Sequence, residues 1–215
     1  MKNLDRMLLG LGVLIPFWLF FGVLLTALAY PDYSHLDQAM SQLGAQGSPT
    51  QGFSAWVNNL PLGVLFVLFA VGVLRRLRGS RLALFSAGLI LVHGLASFAT
   101  GYFPCDQGCA PVQPSFSQQM HNLAGLVMFL SLTLASLLWA FASKRLMGAR
   151  GFGLFSLACT VLAVATVVLM AQAVETGHSF GLYQRINYGI SVIWVAGLAL
   201  MLSRSRAGAL QPGAT

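Results

Sequence analysis

Charge is what this sequence has least of. Asp, Glu, Lys and Arg make up 8% of its 215 residues, against about 25% in an ordinary soluble domain. With 57% apolar residues, that deficit excludes a water-soluble globule. Acid is scarcer than base, five Asp and Glu against 12 Lys and Arg. Four histidines and three cysteines leave little from which to build a metal centre. No basic stripe with interleaved aromatics occurs, so the net charge of +7 does not point to nucleic acid as a partner. A membrane-spanning helix needs roughly 20 apolar residues, so six would use on the order of 120. That leaves no room for a soluble second domain, and residues 1–215 are expected to form one integral membrane domain.

What is present is a series of six apolar runs, at about 8–30, 55–74, 82–103, 118–143, 152–174 and 184–203. Unpaired backbone is intolerable in hydrocarbon, and runs this long are helices rather than the alternating strands of a barrel. The predicted fold is an all-α, six-helix transmembrane bundle. Pro31 and Pro104 end the first and third spans, since the residue before a proline is pushed out of the helical region. Ser115 and Gln118 fit a capping box at the start of the fourth. Ala27-Leu28-Ala29 resembles a signal-peptidase site, but the apolar run before it, roughly 21 residues, exceeds the 7–15 of a signal-peptide core. The first span is therefore expected to be retained.

Basic residues set the orientation, because short loops rich in Lys and Arg stay in the cytoplasm. Lys2 and Arg6 precede span one, and Arg75, Arg76, Arg78 and Arg81 join spans two and three. Lys144, Arg145 and Arg150 join four and five, and Arg204 and Arg206 follow six. Both termini are then cytoplasmic, and Arg185 is the sole outward cation. Asp32, Asp37, Asp106 and Glu175 fall on the outer side with it.

Almost every side chain capable of chemistry lies in the outer loops or outer half of the spans. In the first outer loop, Ser34 and Asp37 form a second capping box. Leu36, Ala39, Met40 and Leu43 follow helical spacing, and Gly44 suits a left-handed stop. A short amphipathic helix is expected there, either an interfacial lid or a polar face over a site. Cys105 and Cys109 face an oxidising compartment and are expected to form a disulfide. A metal bound by both thiols and His121 lacks a fourth ligand. His93 is the deepest ionisable group; a haem between it and His121 is disfavoured because their depths differ by ~7 Å. No cofactor is predicted, with metal and haem left open. Each of these residues also has a structural reading: His93 as interhelical glue, His121 as an interfacial side chain, and Arg185 as the partner of Asp106 or Glu175 in an ion pair.

Several stretches resemble a prokaryotic membrane family catalogued as domain of unknown function 998. They are Tyr33-Ser34-His35, Ser41-Gln42-Leu43-Gly44-Ala45, Asn58-Asn59, Phe103-Pro104-Cys105-Asp106-Gln107-Gly108-Cys109, Ser117-Gln118-Gln119-Met120-His121 and Gly181-Leu182-Tyr183-Gln184-Arg185, with Trp194. The resemblance spans essentially the whole chain. It implies six spans in a bacterial inner membrane or archaeal plasma membrane, with no assigned activity, and points to Ser34, His35, Gly44, Asp106, His121, Gln184 and Arg185. Gln42 stands where the family usually has Glu.

Three functions follow as expectations. The first is an enzyme acting on a lipid or envelope substrate at the outer face. His121 would be its base or metal ligand, with Asp106 orienting it and His93 beneath. Arg185, Gln184, His35, Ser34 and Asn59 would hold the substrate. This reading requires His93, Asp106, His121 and Arg185 to converge on one outward cavity. The second is a non-catalytic module binding a lipid-like ligand or a protein partner, with these residues paired to one another. A transporter ranks third, because the inner halves of the spans carry almost no ionisable groups. Membrane lipids are the expected surroundings; oligomeric state is not indicated.

Overall fold

The computed structural model describes residues 3–77 and 80–205. Lys2, Arg78 and Arg206, used above for orientation, lie outside the described residues. Six helices are long and apolar enough to cross a membrane: α1 (Asn3–Leu28), α2 (Gln51–Arg76), α3 (Arg81–Tyr102), α4 (Phe116–Met147), α5 (Arg150–Thr176) and α6 (Phe180–Arg204). No strand occurs among the described residues. The protein is a multi-pass membrane protein. Phe17, Phe20, Phe21, Leu25 and Leu28 on α1 are exposed, and such an apolar face is stable only against lipid.

The ends of the helices follow local chemistry. Ser115 caps α4, its hydroxyl accepting from the Gln118 amide at 3.1 Å. Gly148 closes that helix in the left-handed conformation (φ 63°) with its amide on the Lys144 carbonyl. Glycine accepts this φ without steric cost. After α3, Pro104 has no amide to continue the ladder.

Each helix packs on its neighbours in sequence and α6 returns to α1, so the six close into a ring. One end of the ring carries Arg75, Arg76, Arg81, Lys144, Arg145, Arg150 and Arg204 at helix termini. The half toward this basic end is tightly filled. Phe66, Phe69, Ile90, Leu132, Trp139, Trp194 and Leu198 are buried there. Gly12 lets α1 approach so closely that a Cβ would stand 2.5 Å from the Phe69 ring. The indoles are satisfied by hydroxyls on neighbouring helices, Trp139 Nε1 donating to Ser86 Oγ (2.7 Å) and Trp194 Nε1 to Ser156 Oγ (3.0 Å), as buried polar groups require.

The opposite end carries the Cys105–Cys109 disulfide and the first connecting loop, where expectation and structure part. In place of an amphipathic helix over Ser34–Gly44 there is one turn, closed by the Gln38 amide on the Ser34 carbonyl. Extended Ala39 follows, and then a short 3₁₀ helix, Met40–Gly44. The Ser34–Asp37 cap does form: Ser34 Oγ donates to Asp37 Oδ2 (3.0 Å) and accepts from the Asp37 amide (3.2 Å). Gly44 is not a left-handed stop: the 3₁₀ helix is capped by extended Ala45, and the left-handed glycine of this loop is Gly47 (φ 75°). The cause is tertiary. The Leu36 and Asp37 carbonyls accept from the Leu182 and Gly181 amides at the start of α6, and the Met40 amide donates to Gln184 Oε1 at 2.7 Å. Leu43 is fully buried against Val23 and Ala27. These bonds take the groups an isolated helix would pair internally.

Candidate functional site

Away from the basic end the ring opens around a cavity of about 800 Å³. Its polar lining comes from three helical stripes, each spaced i, i+3, i+4 or i+7 so that the side chains share a face. These are His93, Ser97 and Thr100 on α3; Gln118, His121 and Asn122 on α4; and Gln184, Asn187, Tyr188 and Ser191 on α6. Asn58 and Asn59 complete the set from α2, within a stretch, Ala55–Asn59, wound as a π-helix. Such widened turns are frequent at functional sites. One turn toward the basic end from the lowest lining residues lie Ile15, Phe66, Ile90, Leu132 and Val195, all fully buried; the floor is a hydrophobic plug. Asp37, Gln42 and Gly108 form part of the roof.

Among the residues named from sequence, His93, His121, Asn59 and Gln184 line this cavity, while Asp106, Arg185, Ser34 and His35 do not. His93 is buried and bridges three helices. Its Nδ1 lies 3.0 Å from the Met128 carbonyl and its Nε2 3.2 Å from the Tyr188 hydroxyl. A carbonyl only accepts, so Nδ1 carries a proton and donates to Met128. His121 Nδ1 is 2.8 Å from the Phe103 carbonyl; by the same reasoning it is protonated there, and chemistry at His121 would have to use Nε2. Asn59 Nδ2 donates to Thr100 Oγ1 (2.9 Å), and Asn187 Nδ2 donates to the Ala163 carbonyl (2.7 Å) and Thr166 Oγ1 (2.8 Å). The walls are thus tied helix to helix by neutral hydrogen bonds.

The expected arrangement in which Asp106 orients His121 is not what the structure shows. The Asp106 carboxylate accepts from the Ser115 hydroxyl (2.5 Å) and amide (2.9 Å), and its own amide donates to Gln118 Oε1 (2.8 Å). It caps the start of α4, taking the place that the Gln118 side chain has in a closed capping box. These two bonds from Ser115, hydroxyl before amide, hold its pKa below the usual carboxylate range. Asp37 is held low likewise, first by the Ser179 amide and then by the Ser34 hydroxyl.

Arg185 also departs from expectation. Among the described residues no carboxylate lies within ion-pair distance of it, and the ion pair present is Arg75 with Asp5 (2.8 Å) at the basic end. Its Nη1 donates to the carbonyls of Gln38 (3.1 Å) and Gly181 (2.8 Å), and its Nη2 to the Tyr33 hydroxyl (2.6 Å). The guanidinium also sits 5.5 Å from the centre of the Tyr33 ring, within cation–π range. Arg185 is a strut fastening the first loop to α6. Burial raises the Tyr33 pKa, with Arg185 opposing. Partial burial, and then the Arg185 charge, lowers that of His35.

Ser34 serves the Asp37 turn, and His35 is exposed with its ring 5.3 Å from Tyr33. No cluster of three or more His, Cys, Asp or Glu occurs among the described residues, and both outer-loop thiols are joined in the Cys105–Cys109 disulfide. Among the described lining residues no serine or threonine hydroxyl is hydrogen-bonded to a histidine as an activated nucleophile would be: Ser97 Oγ donates to the Asn59 carbonyl and Thr100 Oγ1 to the Ser97 carbonyl.

A family model described as protein of unknown function (DUF998) matches residues 13–201. The chain belongs to that family. No curated protein and no solved structure matches it. In this DUF998 chain Asp37, Gln42, Asn58 and Asn187 line the cavity without a site role assigned from the sequence, and Tyr188 was not singled out at all. The α6 stripe was nevertheless legible: Gln184, Asn187, Tyr188 and Ser191 repeat at helical spacing in an otherwise apolar run.

Proposed function

We propose that this protein binds a membrane-derived amphiphile in the cavity, with the disulfide end on the outer face of a prokaryotic cell membrane and both termini inside. The observation that carries this reading is a cavity that sets polar side chains within a largely apolar lining, its walls tied by interhelical hydrogen bonds in a bundle whose other half is filled. Its volume lies within the range of about 300–1,000 Å³ typical of ligand sites. The bias of Lys and Arg to the opposite end supports the sidedness.

Binding is favoured over catalysis because the residues proposed for chemistry are divided. His93 and His121 face the cavity, while Asp106 and Arg185 are spent on loop architecture. The alternative in which the four pair with one another fares no better, since each bonds elsewhere. The apolar floor argues against transport. An enzymatic reading retains one support, the fixed Nδ1–H of His121, which orients Nε2 as an acceptor.

Native mass spectrometry of the protein released from lipid nanodiscs tests the proposal. Wild type is expected to retain a bound lipid-sized mass, and Gly125→Trp, placed where a Cβ meets nothing within 4 Å, is expected to lose it. Equal retention by both would refute it. Turnover of the retained molecule that disappears in His121→Ala, with binding intact, would convert the reading to an enzyme.

A further inference from the structure

Resting on that reading, we infer that the occupant is an uncharged, hydroxyl-bearing amphiphile, and that it enters sideways from the lipid through a seam between α4 and α5. Toward the basic end these two helices are locked. Ser136 Oγ and Thr160 Oγ1 are 2.7 Å apart, and a Cβ on Gly153 would lie 2.8 Å from the Ala140 carbonyl. Continued toward the disulfide end, that antiparallel register would set Phe129 against Val167, Leu126 against Met170, and Asn122 against Val174. Instead all six line the cavity. Leu126 is 52% exposed and Val174 67%, so these faces look outward as well as in. The gap this implies between the two helices is walled, apart from Asn122, by apolar side chains that suit an acyl chain.

Above the cavity the first loop is tied to two of its neighbours. The first loop is bonded to α6 through Gln184 and Arg185. It is bonded to the disulfide loop by Gln42 Nε2 on the Gly108 carbonyl (2.9 Å) and by the Gln46 amide on the Cys105 carbonyl (2.8 Å).

The lining also selects the head group. Its hydrogen-bonding side chains, among them Asn59, His121, Asn122, Gln184 and Tyr188, can exchange hydrogen bonds with a hydroxyl-bearing head. Asp37 is the one Asp, Glu, Lys or Arg among the described lining residues, and Arg185 is not among them. An anionic head would be desolvated there without a cation to pair with.

The test uses two photoreactive probes of equal chain length in nanodiscs, a 1-monoacylglycerol and an anionic lysophosphatidylglycerol. The protein carries Leu126→Cys with Met170→Cys, and is compared before and after joining with a bismaleimide. The control pair is Ser136→Cys with Thr160→Cys, where the helices already touch. The expected result is cavity labelling by the monoacylglycerol about tenfold above the anionic probe, abolished by joining across the seam and unchanged by joining the control pair. Undiminished labelling with the seam joined would overturn the lateral route, and equal labelling by both probes would overturn the head-group selection, each with cavity binding intact. Labelling by neither probe, with no lipid-sized mass retained by wild type, would remove the binding reading itself.

Discussion

Arg185→Met tests whether this residue is a strut or an anion clamp. Methionine keeps much of the apolar stem and removes the guanidinium, and with it three hydrogen bonds and the contact with the Tyr33 ring. Hydrogen bonds to charged groups contribute about 1.5–3 kcal/mol when protected. The bonds to Gln38 and Tyr33 cross to the loop and are partly buried, at about 1 kcal/mol each; with about 0.5–1 kcal/mol from the ring contact, loop docking weakens by about 3 kcal/mol. At 1.4 kcal/mol per factor of ten, loop opening should rise on the order of 100-fold. The assay is amide hydrogen exchange in nanodiscs. The Met40 amide, now donating to Gln184, and the Gln42 amide, bonded to the Ala39 carbonyl, should exchange faster by about that factor. Amides around Trp139 and Trp194 should not change. Arg185→Lys should fall between, because an ammonium lacks the planar fork that reaches several acceptors. Unchanged exchange at Met40 and Gln42, accompanied by loss of an anionic ligand, would refute the strut and restore the clamp.

Two further predictions follow from the packing and the caps. Asp106 has its pKa depressed in the folded protein, so its tie to Ser115 is fully present above the ordinary carboxylate value of about 3.9 and is lost as pH falls through the lower folded value. Exchange of the Ser115 amide against pH should show this, and a midpoint above the ordinary value would contradict the assignment. Gly12→Ala places a methyl 2.5 Å from the Phe69 ring and 2.8 Å from Ala199 Cβ. This overpacking should cost about 1–3 kcal/mol, measured by chemical unfolding in detergent; wild-type stability would show that α1 yields more easily than the structure implies.

The spans were legible because a lipid environment imposes long apolar runs, and Pro104 and Ser115 mark boundaries by their own backbone chemistry. The Ser34–Asp37 turn was legible for the same local reason. The helix expected to follow it was not formed, because the partners that displaced it, Gly181, Leu182 and Gln184, lie more than 140 residues away in the chain. Distance in sequence likewise concealed the role of Arg185, whose partners Gln38 and Tyr33 lie 147 and 152 residues away; Asp106 reaches Ser115 only nine residues on, through the fold of the disulfide loop. Both looked like chemistry because charge near a membrane is rare, and both turned out to hold loops.

Composition and periodicity alone determined that this protein is a membrane bundle, how many times it crosses, and that its polar side chains gather toward one end. Those properties follow from transfer free energies and helix geometry, which act residue by residue. Which polar groups share a cavity, which are consumed by capping, and where α4 and α5 separate were decided by the tertiary structure. They depend on which helix faces meet, and a hydrogen bond between segments far apart in sequence leaves no local trace of its partner.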